Sequence, residues 1–312
     1  MDFWLTDEQR ELQAAVRSLV QGRFDLAELA AAEGTGSVIR RWDELAGMGI
    51  FSMRADGLGA REAVLAFEEL GRGLVPGPLV ATHLAAGLVD GAAEGSTIVG
   101  LFEPGHDVTF VEHAADASSL LCFADDEVRV VDTSSLTLTA VEHPLDPLSP
   151  VWLASGDVPA GTTIASGADA RRLRQLGVTL TAALQLGVAL GATELAAGYA
   201  ADRQQFGRPI GSFQAVKHIL ADMLTKAEVA RSAVYAAACA IDGASTDDPE
   251  RAASVAKVMA GDAALYCGRY GIQVHGGMGF TWEVDAQRYW KRAIVLDATF
   301  GSSDHHALTL AG

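Results

Sequence analysis

The sequence predicts a mostly α-helical chain interrupted by a small β domain. Three observations lead there. Apolar residues recur at helical spacing near the N-terminus, short β-rich runs separated by turn residues crowd the middle, and long alanine-rich helical patterns fill the C-terminal half. The implied organisation is an N-terminal helical domain over 1–95, a reduced middle β-sheet domain over 96–166 and a C-terminal four-helix bundle over 167–312. A chain of 312 residues with 49% hydrophobic content is too long for a single small core.

Thr6 and Gln9 have the spacing of a capping box, and Leu12, Val16, Leu19 and Val20 follow at helical intervals, so residues 7–21 read as an amphipathic helix. Ser37 can cap a second helix carrying Trp42 and Leu45, with Gly47 and Gly49 as stops, and a third runs from Ala60 through Val64, Phe67 and Leu70. Pro76-Gly77-Pro78 breaks the pattern before one more apolar helix near 79–90. The character changes at Thr97-Ile98-Val99-Gly100. Val108–Val111, Leu120–Phe123 and Val128–Val131 then read as strands of one small sheet over 97–165. Long helices return from Ala168 to Asp202, from Ser212 to Ile241, from Asp248-Pro249, where proline suits the first turn, and after Glu283. Ala182, Ala183, Ala189 and Ala192 permit close helix packing, and such stripes are bundle core that carries no function by itself.

Composition narrows the function. With 23 basic against 40 acidic residues, the formal charge of −17 repels phosphate backbones and anionic lipid, and no local concentration of basic residues offsets it, so neither nucleic acid nor membrane is expected as a partner. Cys122, Cys239 and Cys267 are scattered without metal-ligand spacing, and an odd count suits a reducing cytoplasm better than a disulfide framework. The opening Met1-Asp2-Phe3-Trp4-Leu5-Thr6-Asp7-Glu8 is acidic where a signal peptide would be basic, and no apolar run reads as approaching the roughly 18 residues of a membrane span. A soluble cytoplasmic protein is the expectation.

Two segments carry chemistry. Arg203-Gln204-Gln205-Phe206-Gly207-Arg208-Pro209-Ile210-Gly211-Ser212-Phe213-Gln214 lies where two helices meet. Arg203 and Phe206 stand three apart and can share a helix face, offering guanidinium donors beside an aromatic surface, which suits a nucleotide diphosphate. Gln214 adds an amide that donates and accepts. The plainer reading, an interhelical loop with a solvated arginine capping carbonyls, stands beside it. Gln273-Val274-His275-Gly276-Gly277-Met278-Gly279-Phe280 ends another helix, and its paired glycines let a ligand approach the backbone. This is no βαβ dinucleotide fingerprint, because a long helix precedes the glycines, and helix termination alone could account for Gly276.

Together the segments resemble the acyl-CoA dehydrogenase family, matching its R-x-x-F-G-x-x-[IL]-x-x-[FH]-Q and Q-x-x-G-G-x-G-[FY] patterns position by position. The resemblance extends to Asp2-Phe3, Leu5-Thr6-Asp7-Glu8-Gln9 and Glu62–Gly71, most of the chain except the middle. It implies a helical N-terminal domain, a small β domain and a four-helix bundle. It also implies that Arg203, Phe206, Gln214, Gln273, Gly276 and Gly277 contact the adenine-diphosphate part of FAD across a subunit interface, serving a flavin seated mainly in the neighbouring subunit.

The departures matter as much. Dehydrogenation needs a base beside the thioester's α-carbon. The family's glutamate usually follows the second motif by some twenty residues, where this chain has Thr299-Phe300-Gly301-Ser302-Ser303, or lies on the first bundle helix, where it has Gly177-Val178. Glycine, Gly301, takes the expected glutamate position. Asp297, Asp304, His305 and His306 are nearby alternatives, with a polar C-terminal tail as the commoner explanation. The T-E-P-x-x-G-S-D-like and W-[IV]-[ST] segments that hold the flavin ring are reduced to Phe102-Glu103-Pro104-Gly105-His106-Asp107. The pattern resembles two-gene α2β2 acyl-CoA dehydrogenases of bacterial steroid breakdown. There, a glutamate-bearing partner subunit takes the α-proton of the acyl-CoA thioester, FAD takes the β-hydride and an electron-transfer flavoprotein reoxidises the flavin, giving a 2-enoyl-CoA. Two other readings are a self-sufficient homotetramer with an unconventional base and a flavin-free scaffold.

Overall fold

The computed structural model describes residues 5–31, 37–104, 109–124, 126–156 and 159–312. The acidic start, Val108 and the Gly105–Asp107 stretch fall at least partly outside them.

Helix α1 (Asp7–Arg23) opens on a capping box: the Thr6 N–H donates to Gln9 Oε1 at 3.1 Å and the Gln9 N–H to Thr6 Oγ1 at 3.2 Å. Helix α2 (Leu26–Ala31), which the spacing does not predict, is too short to show a period; Asp25 Oδ1 accepts from the Ala27 and Glu28 N–H groups at 2.8 and 3.2 Å. Helix α3 (Trp42–Gly47) starts from Arg41 at φ 52 and not from Ser37, whose Oγ accepts earlier, from the Ile39 N–H at 3.3 Å. Helix α4 spans Ala60–Arg72. Helix α5 (Leu79–Ala85) stops short of the expected end because Ala86 turns to ψ 127.

The middle strands are β1 (Val99–Phe102), β2 (Thr109–Glu112), β3 (Ser119–Ala124), β4 (Glu127–Asp132), β5 (Thr137–Ala140), β6 (Val151–Ser155) and β7 (Thr162–Ser166). They form two sheets, ordered β1-β3-β4-β7 and β2-β6-β5, where the sequence suggests one. Strands β1 and β3 are parallel, and the other pairs are antiparallel. Inward residues of both sheets, Val111 from one and Leu120, Cys122 and Val131 from the other, share one buried cluster against which Trp152 and Leu138 pack. Alternation along a strand sets which side is apolar but not which strand becomes its neighbour.

The C-terminal half holds α6 (Gly167–Asp202), a two-stranded ribbon of β8 (Gln204–Gln205) and β9 (Arg208–Pro209), α7 (Gln214–Ile241), α8 (Pro249–His275), α9 (Ala286–Ala298) and α10 (Ser303–Ala311). Asp248 Oδ1 caps α8 by accepting from the Glu250 N–H at 3.1 Å, with Pro249 in the first turn. By length and composition α6 could cross a membrane: it contains an 18-residue window of mean hydropathy 1.5, which corrects the reading from sequence. That window is entirely buried, as in a core helix.

The described residues divide into two compact units. One gathers Met1–Gly22, Val64–Val75 and Val178–Gly312; the other gathers Arg23–Ala63 and Pro76–Gly177. In the first, α4 crosses α6 with backbones nearly touching: a Cβ added at Gly71 would lie 2.1 Å from the Leu184 carbonyl oxygen, and one at Gly187 2.0 Å from that of Glu68. Beside this crossing sit two buried carboxylates. The Arg17 guanidinium forks onto Glu69 at 3.0 and 2.7 Å, and the Tyr235 hydroxyl donates to Glu68 Oε2 at 2.8 Å, with Arg72 and Arg231 at 3.3 and 3.4 Å. Burial pushes the Glu68 carboxyl above its ordinary range, opposed by the Arg231 charge and the Tyr235 bond. In the second unit, Thr82 Oγ1 on α5 both donates to the Val99 carbonyl and accepts from the Val99 N–H at 3.1 Å, fixing β1 to the helix. Buried His83 places Nδ1 2.8 Å from the Ile50 carbonyl.

Candidate functional site

The first motif is a tight hairpin at the end of α6. The Arg203 N–H still reaches the Tyr199 carbonyl at 2.9 Å, and the Ile210 N–H closes back on the Arg203 carbonyl at 2.8 Å. Between them Gln205 pairs with Arg208, leaving Phe206-Gly207 as a two-residue loop with φ of 54 and 76. Positive φ at both positions is what a type I′ turn requires, and that turn favours Asn, Asp or Gly at its first position. Phenylalanine there is strained by roughly 1 kcal/mol or more. Its ring is also 91% exposed. Strain and exposure both oppose this placement, and no burial of the ring within the chain offsets them.

The rest of the motif supports that tip. Phe213 meets Phe206 edge-on, with ring centroids 6.1 Å apart and planes at 82°. The Arg208 guanidinium lies 4.1 Å from the Phe213 ring centroid. A Cβ on Gly211 would stand 2.9 Å from the Ala200 carbonyl, so the loop packs directly on the last turns of α6. Arg203 is exposed, Gln214 is the exposed first residue of α7, and the Ser212 hydroxyl is buried without a hydrogen-bond partner.

The second motif ends α8. Gly276 leaves the helix at φ 66, ψ −144, a conformation L-residues rarely adopt. A Cβ built on Gly276 or Gly277 would meet nothing within 4 Å, so open space lies over both glycines, whereas one on Gly279 would stand 2.6 Å from the Ile272 carbonyl. Gln273 is exposed. Tyr199 near the end of α6 stacks on His275 at the end of α8, centroids 4.2 Å apart, which brings the two motifs to one end of the bundle. The sequence does not show this proximity, because neither aromatic belongs to a pattern that pairs them.

The stretch over 299–303, where the resemblance leads one to expect a glutamate, is a locked turn. Phe300 and Gly301 adopt φ 54 and 86. A Cβ on Gly301 would approach His305 Cδ2 at 3.0 Å and His306 Nε2 at 3.1 Å. His306 is buried; Nε2 lies 2.9 Å from the Phe300 carbonyl and Nδ1 3.1 Å from Ser254 Oγ. The carbonyl can only accept, so Nε2 carries a proton and donates to it, while Nδ1 pairs with the serine hydroxyl. Asp297 accepts from the Ser303 N–H and hydroxyl, and buried Lys257 donates to the Leu296 carbonyl at 2.6 Å. The polar tail suggested by the sequence is therefore helix α10. His306 commits both ring nitrogens to this turn and Asp297 commits Oδ1, while Asp304 and His305 face solvent. Gly177 and Val178 lie within α6 and bring no carboxylate.

Residues 175–312 match the family model described as acyl-CoA dehydrogenase, C-terminal domain. The chain is 34% identical to acyl-CoA dehydrogenase IpdE2 of Mycolicibacterium smegmatis, over 74% of this chain and 72% of that protein. It is 33% identical to acyl-CoA dehydrogenase FadE34 of Mycobacterium tuberculosis, over 99% of this chain and 49% of that one. Among solved structures, a steroid ACAD, Tcur3481-Tcur3483, is 27% identical with a TM-score of 0.82, covering 98% of this chain and 97% of its own.

Proposed function

Because the chain belongs to the acyl-CoA dehydrogenase family, we propose that it is a subunit of an FAD-dependent enzyme that desaturates an acyl-CoA thioester between its α and β carbons, lending half of a flavin site to a glutamate-bearing partner subunit. The residues present fit the adenine-diphosphate end of FAD. Arg203 offers a guanidinium, Phe206 an exposed aromatic ring, Gln214 and Gln273 amides, Ser212 a buried unpartnered hydroxyl, and Gly276-Gly277 an open backbone. When bound, FAD accepts the hydride that leaves the β-carbon.

This chain's part is binding and orientation. In this reading the α-proton goes to the partner subunit's base: Gly301 supplies none, and the Ser303 bonds to Asp297 Oδ1 and the Phe300 bond to His306 hold those two side chains in the turn, which supports a base from outside the chain. The product is a 2-enoyl-CoA, and an electron-transfer flavoprotein removes the electrons. The assembly is read as α2β2 and cytoplasmic. The similarity to a steroid ACAD supports a bulky ring-bearing acyl group. Preference for short straight chains in a survey of CoA thioesters would refute that choice of acyl group.

The observation that carries this reading is Phe206, held in a strained turn with its ring in solvent. The test is to produce the chain alone and together with an acyl-CoA dehydrogenase-like protein encoded beside it, and to measure bound flavin and thioester oxidation. FAD and turnover found only in the complex, and reduced by Arg203→Ala, support the shared site. Turnover by the chain alone would instead make it a self-sufficient enzyme, and a complex without flavin would make it a scaffold.

A further inference from the structure

We propose that Arg208, outside the residues assigned to flavin contact above, is the positioning residue of this site, and that it acts through Phe213 to hold Phe206 against the adenine end of FAD. The inference rests on the shared-site reading.

Arg208 and Gln205 are paired across the ribbon, so the hairpin places Arg208 directly behind the Phe206-Gly207 tip. From there its guanidinium covers the Phe213 ring at 4.1 Å, well within the range of a cation–π contact. Phe213 in turn presents itself edge-on to Phe206, giving a chain of three groups from Arg208 through Phe213 to Phe206. Arg208 has no ion pair among the salt bridges of the described residues, and it is exposed, so its contact with Phe213 is not a by-product of burial. Phe206 needs such support. A 91% exposed side chain has few neighbours to fix its rotamer, and a freely rotating ring would lose conformational entropy on each binding event. Arg208 and Phe213 reduce that cost by ordering the aromatic pair beforehand.

The test uses the complex with the partner subunit and reads the FAD dissociation constant together with the melting temperature of the flavin-free complex. Arg208→Ala should weaken FAD by about two- to fivefold, the size expected of an exposed cation–π contact. The flavin-free complex should melt as the unaltered one does. Arg208→Lys, which keeps a cation, should recover most of the affinity, and Arg208→Gln should not. Because Arg208 acts through Phe213, Arg208→Ala should add little to a Phe213→Leu background, a non-additivity that a general effect on loop stability would not produce. Arg203→Ala serves as the reference. If Arg203→Ala weakens FAD while Arg208→Ala leaves it unchanged, or if the Arg208 and Phe213 effects are additive, the positioning role is wrong and the shared site survives. If Arg203→Ala has no effect either, the shared-site reading falls and takes this inference with it.

Discussion

Gly187 on α6 faces Glu68 on α4 so closely that a Cβ at 187 would stand 2.0 Å from the Glu68 carbonyl oxygen and 2.6 Å from the Arg72 nitrogen. Both neighbours are backbone and cannot swing away. Alanine would gain roughly 1 kcal/mol of helix propensity at this position. Against that stands overpacking of about 3 kcal/mol. Gly187→Ala is therefore expected to lower stability by about 2 kcal/mol net, measured by denaturant unfolding. Gly277→Ala, where an added Cβ meets nothing within 4 Å, should leave stability almost unchanged. Equal midpoints for the two variants would show that the helix crossing is looser than described.

His83 makes stability depend on pH. Burial is the main force pushing its imidazole down to about 4 from 6.5; the bond to the Ile50 carbonyl opposes the shift and the Arg54 charge adds to it. Between those values the unfolded chain binds the proton and the folded one does not, so this contribution is fully present above about 6.5 and is lost as pH falls toward about 4. Moving from pH 7 to pH 5 should remove about 2 kcal/mol through this group. In His83→Gln that part of the slope should vanish. An unchanged slope in unfolding measurements across this range would assign the pH dependence elsewhere.

The tip of the hairpin sets stability against binding. Phe206→Gly should stabilise the isolated chain by about 0.5–1 kcal/mol, because glycine accepts positive φ without strain. The same substitution should sharply reduce FAD retention by the complex. Loss of stability instead would mean that the edge-on contact with Phe213 outweighs the backbone strain at this position.

Gly301 should resist conversion into a base. Any side chain there must accept φ 86 and approach the His306 ring at 3.1 Å. Gly301→Ala should cost about 1–3 kcal/mol, and Gly301→Glu at least as much. Neither should give thioester oxidation by the chain alone. Activity in isolated Gly301→Glu would mean that this turn can reopen into a working site.

Much of this was legible because local rules are local. The Thr6–Gln9 cap, the start of α8 at Asp248-Pro249 and the long helices follow from neighbours within a turn or two, and those contacts are written in consecutive residues. Helices α2 and α10 escaped for the same reason, being too short for a period to rise above chance. The hairpin at Phe206-Gly207 was hidden because phenylalanine is a poor signal for a type I′ turn, so the residue most out of keeping with local preference is the one at the candidate site.

By itself the sequence determined the long helices, the β character of the middle and the two motifs, all of which depend on residue identity and short-range spacing. Only the tertiary structure decided that Tyr199 and His275 stack to bring both motifs to one end of the bundle. It alone set the ring of Phe206 in solvent, split the strands into two sheets and made His306 the lock on the Gly301 turn. These outcomes are long-range: each depends on which apolar faces and unpaired polar groups, distant along the chain, satisfy one another when water is excluded, and a local pattern constrains such pairings only weakly.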